Sequence, residues 1–277
     1  MLATAVGGLI DCCLDFTLSR RDRIRLGLHI LNRARGDGND NPATNGEYNL
    51  LHLLRGRFPS ASVFFDVGAN VGDWSLTLAT IQPPEARIYA FEPSRATYRR
   101  LEEAAGKSAA GGTVLPFNFA LGDIHRTAEL YLSGELCGTN SLHVRHAEAV
   151  GLRQLATEVV TVRRGDDFCR EHGITSIDFL KIDTEGHEIA VLQGFEQLLR
   201  KGGIQCLQFE YGATWADSRN LLLDAFDLLL PRGYRIGKIH SGGVEFFDAY
   251  DQRQETFFYA NYLAVRPEMA EGLRIVD

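Results

Sequence analysis

Four short apolar runs in this chain each end at a carboxylate. They are residues 62–66 closing on Asp66, 87–91 followed by Glu92, 179–183 closing on Asp183, and 205–210 closing on Glu210. Continuous apolar character of this kind marks strands buried on both faces. Helical stretches are read between and after them, over residues 73–80, 94–105, 188–200 and 221–230. Alternating strand and helix predicts a parallel sheet covered on both sides. Ligands bind such sheets outside the carboxyl ends of the strands. The four acids are therefore expected to rim one crevice.

A further strand is read at residues 114–118, and two more, at 234–239 and 256–265, close the chain. The last connection carries Gly242 and Gly243, which suits antiparallel pairing. The expected fold is a Rossmann-like α/β domain with a mostly parallel seven-stranded sheet and an antiparallel last strand. It is expected to span residues 59–277, behind an N-terminal helical cap at 1–58. The cap would hold helices over 1–35 and 47–58, separated by a loop rich in Gly, Asn and Asp. Residues 124–161 interrupt the alternation and are read as a lid or substrate-recognition insertion carrying short strands at 128–132 and 158–162.

Composition narrows the function classes. A chain of 277 residues with 45% hydrophobic and 23% charged residues can bury a real core, which excludes disorder as its main state. The net charge of −7 argues against a nucleic-acid partner. The basic run Arg20, Arg21, Arg23, Arg25, Arg33 and Arg35 reads as the wet face of a helix. Five cysteines without a C-x-x-C pair fit reduced thiols in the cytoplasm better than disulfides or zinc. No basic leader and no run of about 18 apolar residues occurs, so neither a signal peptide nor stable membrane insertion is expected.

The strongest motif is Asp66-Val67-Gly68-Ala69-Asn70-Val71-Gly72, at a strand-to-helix turn. Its glycines allow close approach of a ligand to backbone. It is neither G-x-G-x-x-G nor a phosphate-binding loop, so nucleotide hydrolysis is disfavoured. Asp66 would repel a pyrophosphate and suits an amine-bearing ligand. Glu92 can accept both hydroxyls of a ribose. A ribose with an ammonium and no pyrophosphate describes S-adenosylmethionine.

Three blocks make a family resemblance specific: residues 66–72, then Tyr89-Ala90-Phe91-Glu92-Pro93, then Leu180-Lys181-Ile182-Asp183-Thr184-Glu185-Gly186-His187-Glu188. Together they resemble the FkbM family of S-adenosylmethionine-dependent methyltransferases. The resemblance runs from about Glu47 to Ile239. It implies O-methylation of a hydroxyl on a sugar or other small molecule. By the resemblance, Asp66, Gly68, Ala69, Asn70 and Gly72 would hold the methionine end of the cofactor. Glu92 would hold the ribose, with Pro93 and Ser94 beside it. Asn118, Phe119, Ala120 and Leu121 would border the adenine, and Asp183 would sit near the transferred methyl.

An alcohol is a poor nucleophile, so the reaction calls for a general base. Asp183, His187 and Glu210 compete for that role, and Asp183 is expected to act together with His187. Lys181 sits in a strand that should be buried and needs a partner, either Asp183, Glu185 or Glu210. Asn140, Ser141 and Tyr211 are acceptor-side candidates, and Glu47 with Tyr48 would close over the cofactor from the other side. Asp183, Glu185, His187 and Glu210 offer ligands suited to a divalent ion, which the spacing does not require. Two alternatives stand beside this reading: an NAD-dependent oxidoreductase and a non-catalytic cofactor-binding protein. A homo-oligomer is compatible with it.

Overall fold

The computed structural model describes residues 18–108, 112–134, 136–146, 151 and 153–273. It divides into two compact units, residues 1–39 and 40–277. The described part of the first unit is built on α1 (Arg20–Arg35). Ser19 starts this helix by accepting the Asp22 N–H, and Gly36, in the left-handed region, ends it. The remainder of the helix expected from residue 1, including Leu14, lies outside the described residues.

The second unit follows the expected alternation. It begins with α2 (Glu47–Leu54), β1 (Val63–Val67), α3 (Asp73–Ile81), β2 (Arg87–Phe91), α4 (Arg95–Lys107) and β3 (Thr113–Phe117). Next come β4 (Ala120–Gly122), β5 (Arg126–Leu132), β6 (Ala156–Arg164), α5 (Gly165–Glu171) and β7 (Ile177–Ile182). Then follow α6 (Glu188–Gly194), α7 (Glu196–Arg200), β8 (Ile204–Tyr211), α8 (Ala213–Ser218) and α9 (Leu222–Leu229). The chain closes with β9 (Arg235–His240), β10 (Gly243–Phe247) and β11 (Ala260–Val265).

The main sheet has eight strands in the order β10-β9-β11-β8-β7-β1-β2-β3. The five strands from β8 to β3 run parallel. β11 is the antiparallel strand, and it is wedged between β8 and β9. The seven strands expected are thus joined by an eighth. β10 folds back on β9 through the tight turn at Ser241 and Gly242, so the Gly pair serves that hairpin and not the β9–β11 connection. β4, β6 and β5 form a separate three-stranded sheet. The two short strands expected within residues 124–161 are β5 and β6, paired antiparallel.

Two helix boundaries differ from expectation for local reasons. α2 stops at Leu54, just before Gly56, whose φ of +79° a right-handed helix does not accept. The helix expected over 188–200 is broken at Phe195, which is fully buried and caps α7.

Adjacent strand residues face opposite ways, so each face of the sheet builds its own core. Phe65, Phe91, Leu180 and Phe195 pack on one side, where Phe168 from α5 stands edge-on to Phe91 and Phe117 at 5.0 Å. Phe64, Ile88 and Phe179 pack on the other, against Leu50 and Leu54 of α2 and Leu78 of α3. Two glycines let α6 lie close on the small sheet: a Cβ at Gly194 would come within 2.1 Å of the Gly122 carbonyl oxygen. Gly194→Ala should therefore cost about 1–3 kcal/mol through overpacking. A lowered urea midpoint with an unchanged m value would show it.

Candidate active site

The carboxyl ends of β1, β2 and β7 meet at a turn that only glycine allows. Gly68 has φ of +84°, and a Cβ there would lie 1.8 Å from the Asp183 carbonyl oxygen. The β1–α3 turn therefore lies directly on the end of β7. Phe91 O receives both the Gly68 and Ala69 N–H groups, which fixes the turn against β2 as well. Asn70 follows in the left-handed region at φ of +49°, a conformation that Asn tolerates.

Two cavities open on either side of Gly68, Asn70 and Asp183, which line both. The first encloses about 540 Å³, part of it open to solvent. Glu92 and Pro93 line it on one side, with Leu121, Leu130 and Leu142 as its apolar wall. Glu92 Oε2 accepts the Asn70 N–H at 3.0 Å and Oε1 accepts the Ser94 N–H at 2.8 Å. Burial pushes its pKa to about 7, against the pull of those two N–H groups. The second cavity encloses about 640 Å³ and is lined by Glu47, Tyr48, Asp73, Trp74 and Tyr259 among others.

Lys181 anchors the site from below. Its ammonium lies 2.9 Å from Asp183, 3.9 Å from Asp66 and 4.0 Å from Glu47. Burial alone would lower its pKa, but the three carboxylates hold it well above the ordinary lysine range. Of the partners expected for it, Asp183 is the one at salt-bridge distance; Asp66 and Glu47 take the places read for Glu185 and Glu210. Burial would raise Asp183, yet Lys181 and a hydrogen bond with Glu210 keep it below its ordinary value. Burial, with the charges of Asp183 and Glu185, holds Glu210 well above its ordinary value.

A lid segment, residues 136–146, closes the first cavity. Cys137, Gly138, Asn140 and Leu142 line it. Ser141 Oγ donates to the Glu185 carbonyl at 2.7 Å, and Arg145 bridges Glu185 at 2.8 Å and Asp217 at 3.3 Å. His143 Nε2 and His187 Nδ1 are 3.1 Å apart. Burial, then the charges of His143 and Arg126, push the His187 pKa down to about 3, so its imidazole is neutral. Glu185 sits at φ of +55°, a strained position for its type. Burial and Asp183 push its pKa to about 8, with Arg145 opposing. Glu188 shapes this loop by accepting N–H groups from Thr184 and Gly186.

The remaining expected residues take varied places. Asp66 is fully buried, accepts the Ser75 hydroxyl at 2.7 Å and lines neither cavity. Asn118 donates to the Glu92 and Pro93 carbonyls and so braces the turn after β2. Ala120 and Leu121 line the first cavity, whereas Phe119 packs on Phe91. Gly72 and Ser94 line neither cavity, while Ala69 lines the second. Asn140 accepts the Ser133 N–H, and Ser141, in the same segment, is fully buried. Tyr211 is fully buried on the other face of β8, donates to Glu255 at 3.0 Å and lines neither cavity. Glu185, Arg145, His143, Trp74 and Tyr259 complete the site. Glu185 is among the ligands that the sequence offers a divalent ion; Trp74 and Tyr259 carry no pattern that singles them out.

The donor set suits S-adenosylmethionine. Buried Glu92 faces a cavity with an apolar wall, the glycine turn presents bare backbone, and Asn70 Oδ1 is buried with no hydrogen-bond partner among the described residues. Asp183, Glu185 and Glu210 each bring an oxygen within 4.8 Å of the others, a set that could hold a divalent cation.

The model of the methyltransferase FkbM domain matches residues 66–236. The chain belongs to the FkbM methyltransferase family. It is a methyltransferase dependent on S-adenosylmethionine, and the oxidoreductase alternative falls with that assignment. Hexuronic acid methyltransferase AglP of Haloferax volcanii is 28% identical over 65% of this chain and 69% of its own length. The 2-O-methyltransferase NoeI of Sinorhizobium fredii is 27% identical over 50% of this chain and 59% of its own. AMB antimetabolite synthetase AmbE of Pseudomonas aeruginosa is 30% identical over 78% of this chain, which spans 11% of that protein. The O-methyltransferase TomG of Streptomyces achromogenes superposes with a TM-score of 0.43 at 13% identity, covering 79% of each chain, a likeness too remote to carry an argument. Among the described residues no helix is long and apolar enough to cross a membrane.

Removing Lys181 should expose how these charges depend on one another. In Lys181→Met the three carboxyls lose their cation, so the already raised pKa values of Glu47 and Asp66 rise further above the unfolded ones and the lowering of Asp183 is lost. A group raised in this way destabilises the fold as pH climbs. The variant should lose about 3–5 kcal/mol at pH 8 and much less as pH falls toward about 4. Urea unfolding at both pH values checks this.

Proposed function

We propose that this protein methylates a hydroxyl oxygen of a glycan or small molecule, with Asp183 receiving the hydroxyl proton. The observation that carries the reading is the position of Asp183. It lines both cavities and is kept ionised by Lys181 at 2.9 Å.

S-adenosylmethionine, when bound, supplies a methyl group already activated on sulfur, and the electron pair of the broken C–S bond stays on sulfur. The chain must then position, exclude water and hold a proton. Each Glu92 oxygen accepts one N–H and keeps a lone pair for a ribose hydroxyl. Leu121, Leu130 and Leu142 would border the adenine and keep water away from it. Gly68 and Asn70 would receive the methionine end. Asp66, walled off from both cavities, acts on this end only by holding Lys181 and Ser75.

Within this reading His187 does not share the proton. Its Nδ1 already faces His143 at 3.1 Å, and it lines the first cavity alone, whereas Asp183 lines both. It belongs with the lid. Burial and the charge of Asp183 hold the Glu210 carboxyl well above its ordinary range, which leaves Asp183 the more acidic of the two. The names of AglP and NoeI, one acting on a hexuronic acid and one at a 2-hydroxyl, support a sugar hydroxyl as the acceptor. Free Cys137, Cys169 and Cys206 support a reducing, cytoplasmic setting.

Titration calorimetry with S-adenosylhomocysteine separates binding from chemistry. Glu92→Gln should weaken binding at least about tenfold. Asp183→Asn should bind within about threefold of the parent yet lose about 10²–10⁴ in turnover. Near-full turnover in Asp183→Asn would remove it as the base.

A further inference from the structure

The two cavities are not equivalent, and their linings assign them different guests. The first is walled by leucines, carries Glu92 and is covered by the lid. That covering belongs to the nucleoside side, so the lid leaves the acceptor to enter elsewhere. The second cavity lies on the far side of Asp183, beside α2 and the start of α3. Tyr48 and Tyr259 line it, as does Trp74, which is 5% exposed and whose indole N–H finds no acceptor among the described residues. Aromatic side chains and unmet polar groups around an open cavity are the chemistry that holds a sugar ring, by its C–H faces and its hydroxyls.

Charge narrows the class. Asp40, Glu47, Asp73 and Asp183 line this cavity against Lys181. The lysine is already shared among Glu47, Asp66 and Asp183. Among the described residues that line it, no other cation is present for a carboxylate on the guest, and the exposed Asp40 and Asp73 add like charge. A negatively charged ring would be repelled.

We propose that the second cavity is the acceptor site and that it takes a neutral pyranose, not a uronic acid. The assignment rests on the methyltransferase reading above. The ring lies beside Tyr48 and Tyr259, and the Trp74 N–H donates to one of its oxygens. The reacting hydroxyl faces Asp183. That hydroxyl oxygen gains the methyl group and its proton passes to the Asp183 carboxylate, so the atoms balance without a further reactant.

The test uses the full chain with S-adenosylmethionine and two probe sets, methyl hexopyranosides and the matching methyl hexuronides, with product read by mass spectrometry. The neutral set should be methylated with kcat/KM at least about tenfold higher. Tyr48→Ala should raise acceptor KM about tenfold and leave S-adenosylhomocysteine affinity within about twofold. Asp73→Lys, at an exposed position, should raise kcat/KM for the uronides about tenfold. A loss of S-adenosylhomocysteine affinity in Tyr48→Ala, with acceptor KM unchanged, would make the cavity a cofactor pocket and overturn the assignment. Preference for uronides, or turnover of neither set by a chain that binds S-adenosylhomocysteine, would overturn the sugar class alone. A parent chain that fails to bind S-adenosylhomocysteine would overturn the reading beneath it.

Discussion

One buried ammonium holds the centre of this molecule together. Lys181 sits in the middle of the main sheet with 7% of its side chain exposed, and three carboxylates from three different elements converge on it. Glu47 arrives from α2, Asp66 from β1 and Asp183 from the end of β7. Removing any of these charges from water is expensive, and each is tolerable only because the others are there. The same contacts join the helix before the sheet, the first strand and the edge where the two cavities open. Burial would push Asp183 toward neutrality, and Lys181 reverses that. The charge of Asp183 in turn helps to hold Glu210 protonated. A structural lysine thereby sets which carboxylate carries the negative charge where the cavities meet.

A second constraint is steric. Gly68 leaves no room for a side chain against the Asp183 carbonyl, and Gly194 leaves none against Gly122. The first of these close approaches brings the turn after β1 onto the end of β7, and the second brings α6 onto the small sheet. Glu188 adds the third fixing point by gathering the N–H groups of Thr184 and Gly186. With these in place the lid has something rigid to close on, through Ser141 and Arg145.

Much of this was readable from residues alone. Buried parallel strands write themselves as continuous apolar runs, and their terminal acids mark the edge where ligands bind. That was enough for the sheet, the glycine turn and the position of Glu92 and Asp183 at strand ends beside a cavity. What escaped has physical reasons. The eighth strand is a hairpin made by a two-residue turn, and five residues of ordinary composition do not announce a strand. Asp66 reads as a ligand-facing acid because it precedes the glycine turn; only the pleat decides that its carboxylate turns inward to Ser75 and Lys181. His187 reads as a base by its intrinsic chemistry, whereas the fold buries it with its Nδ1 3.1 Å from His143. Tyr211 follows Glu210 by one position and therefore points to the opposite face. Trp74 and Tyr259 lie 185 positions apart in the chain and meet only in the folded state.

The placement of the tryptophans has an optical consequence. The chain holds two of them. Trp215 is sealed in the core, its indole N–H bonded to the Glu210 carbonyl at 2.9 Å. Trp74 borders the second cavity, with the Lys181 ammonium 5.9 Å from its ring. Intrinsic fluorescence therefore contains one component that is blind to the cavity and one that feels both its contents and its field. Any guest entering beside Asp183 would report its own arrival as a change in the Trp74 emission over the constant background of Trp215, with no label attached.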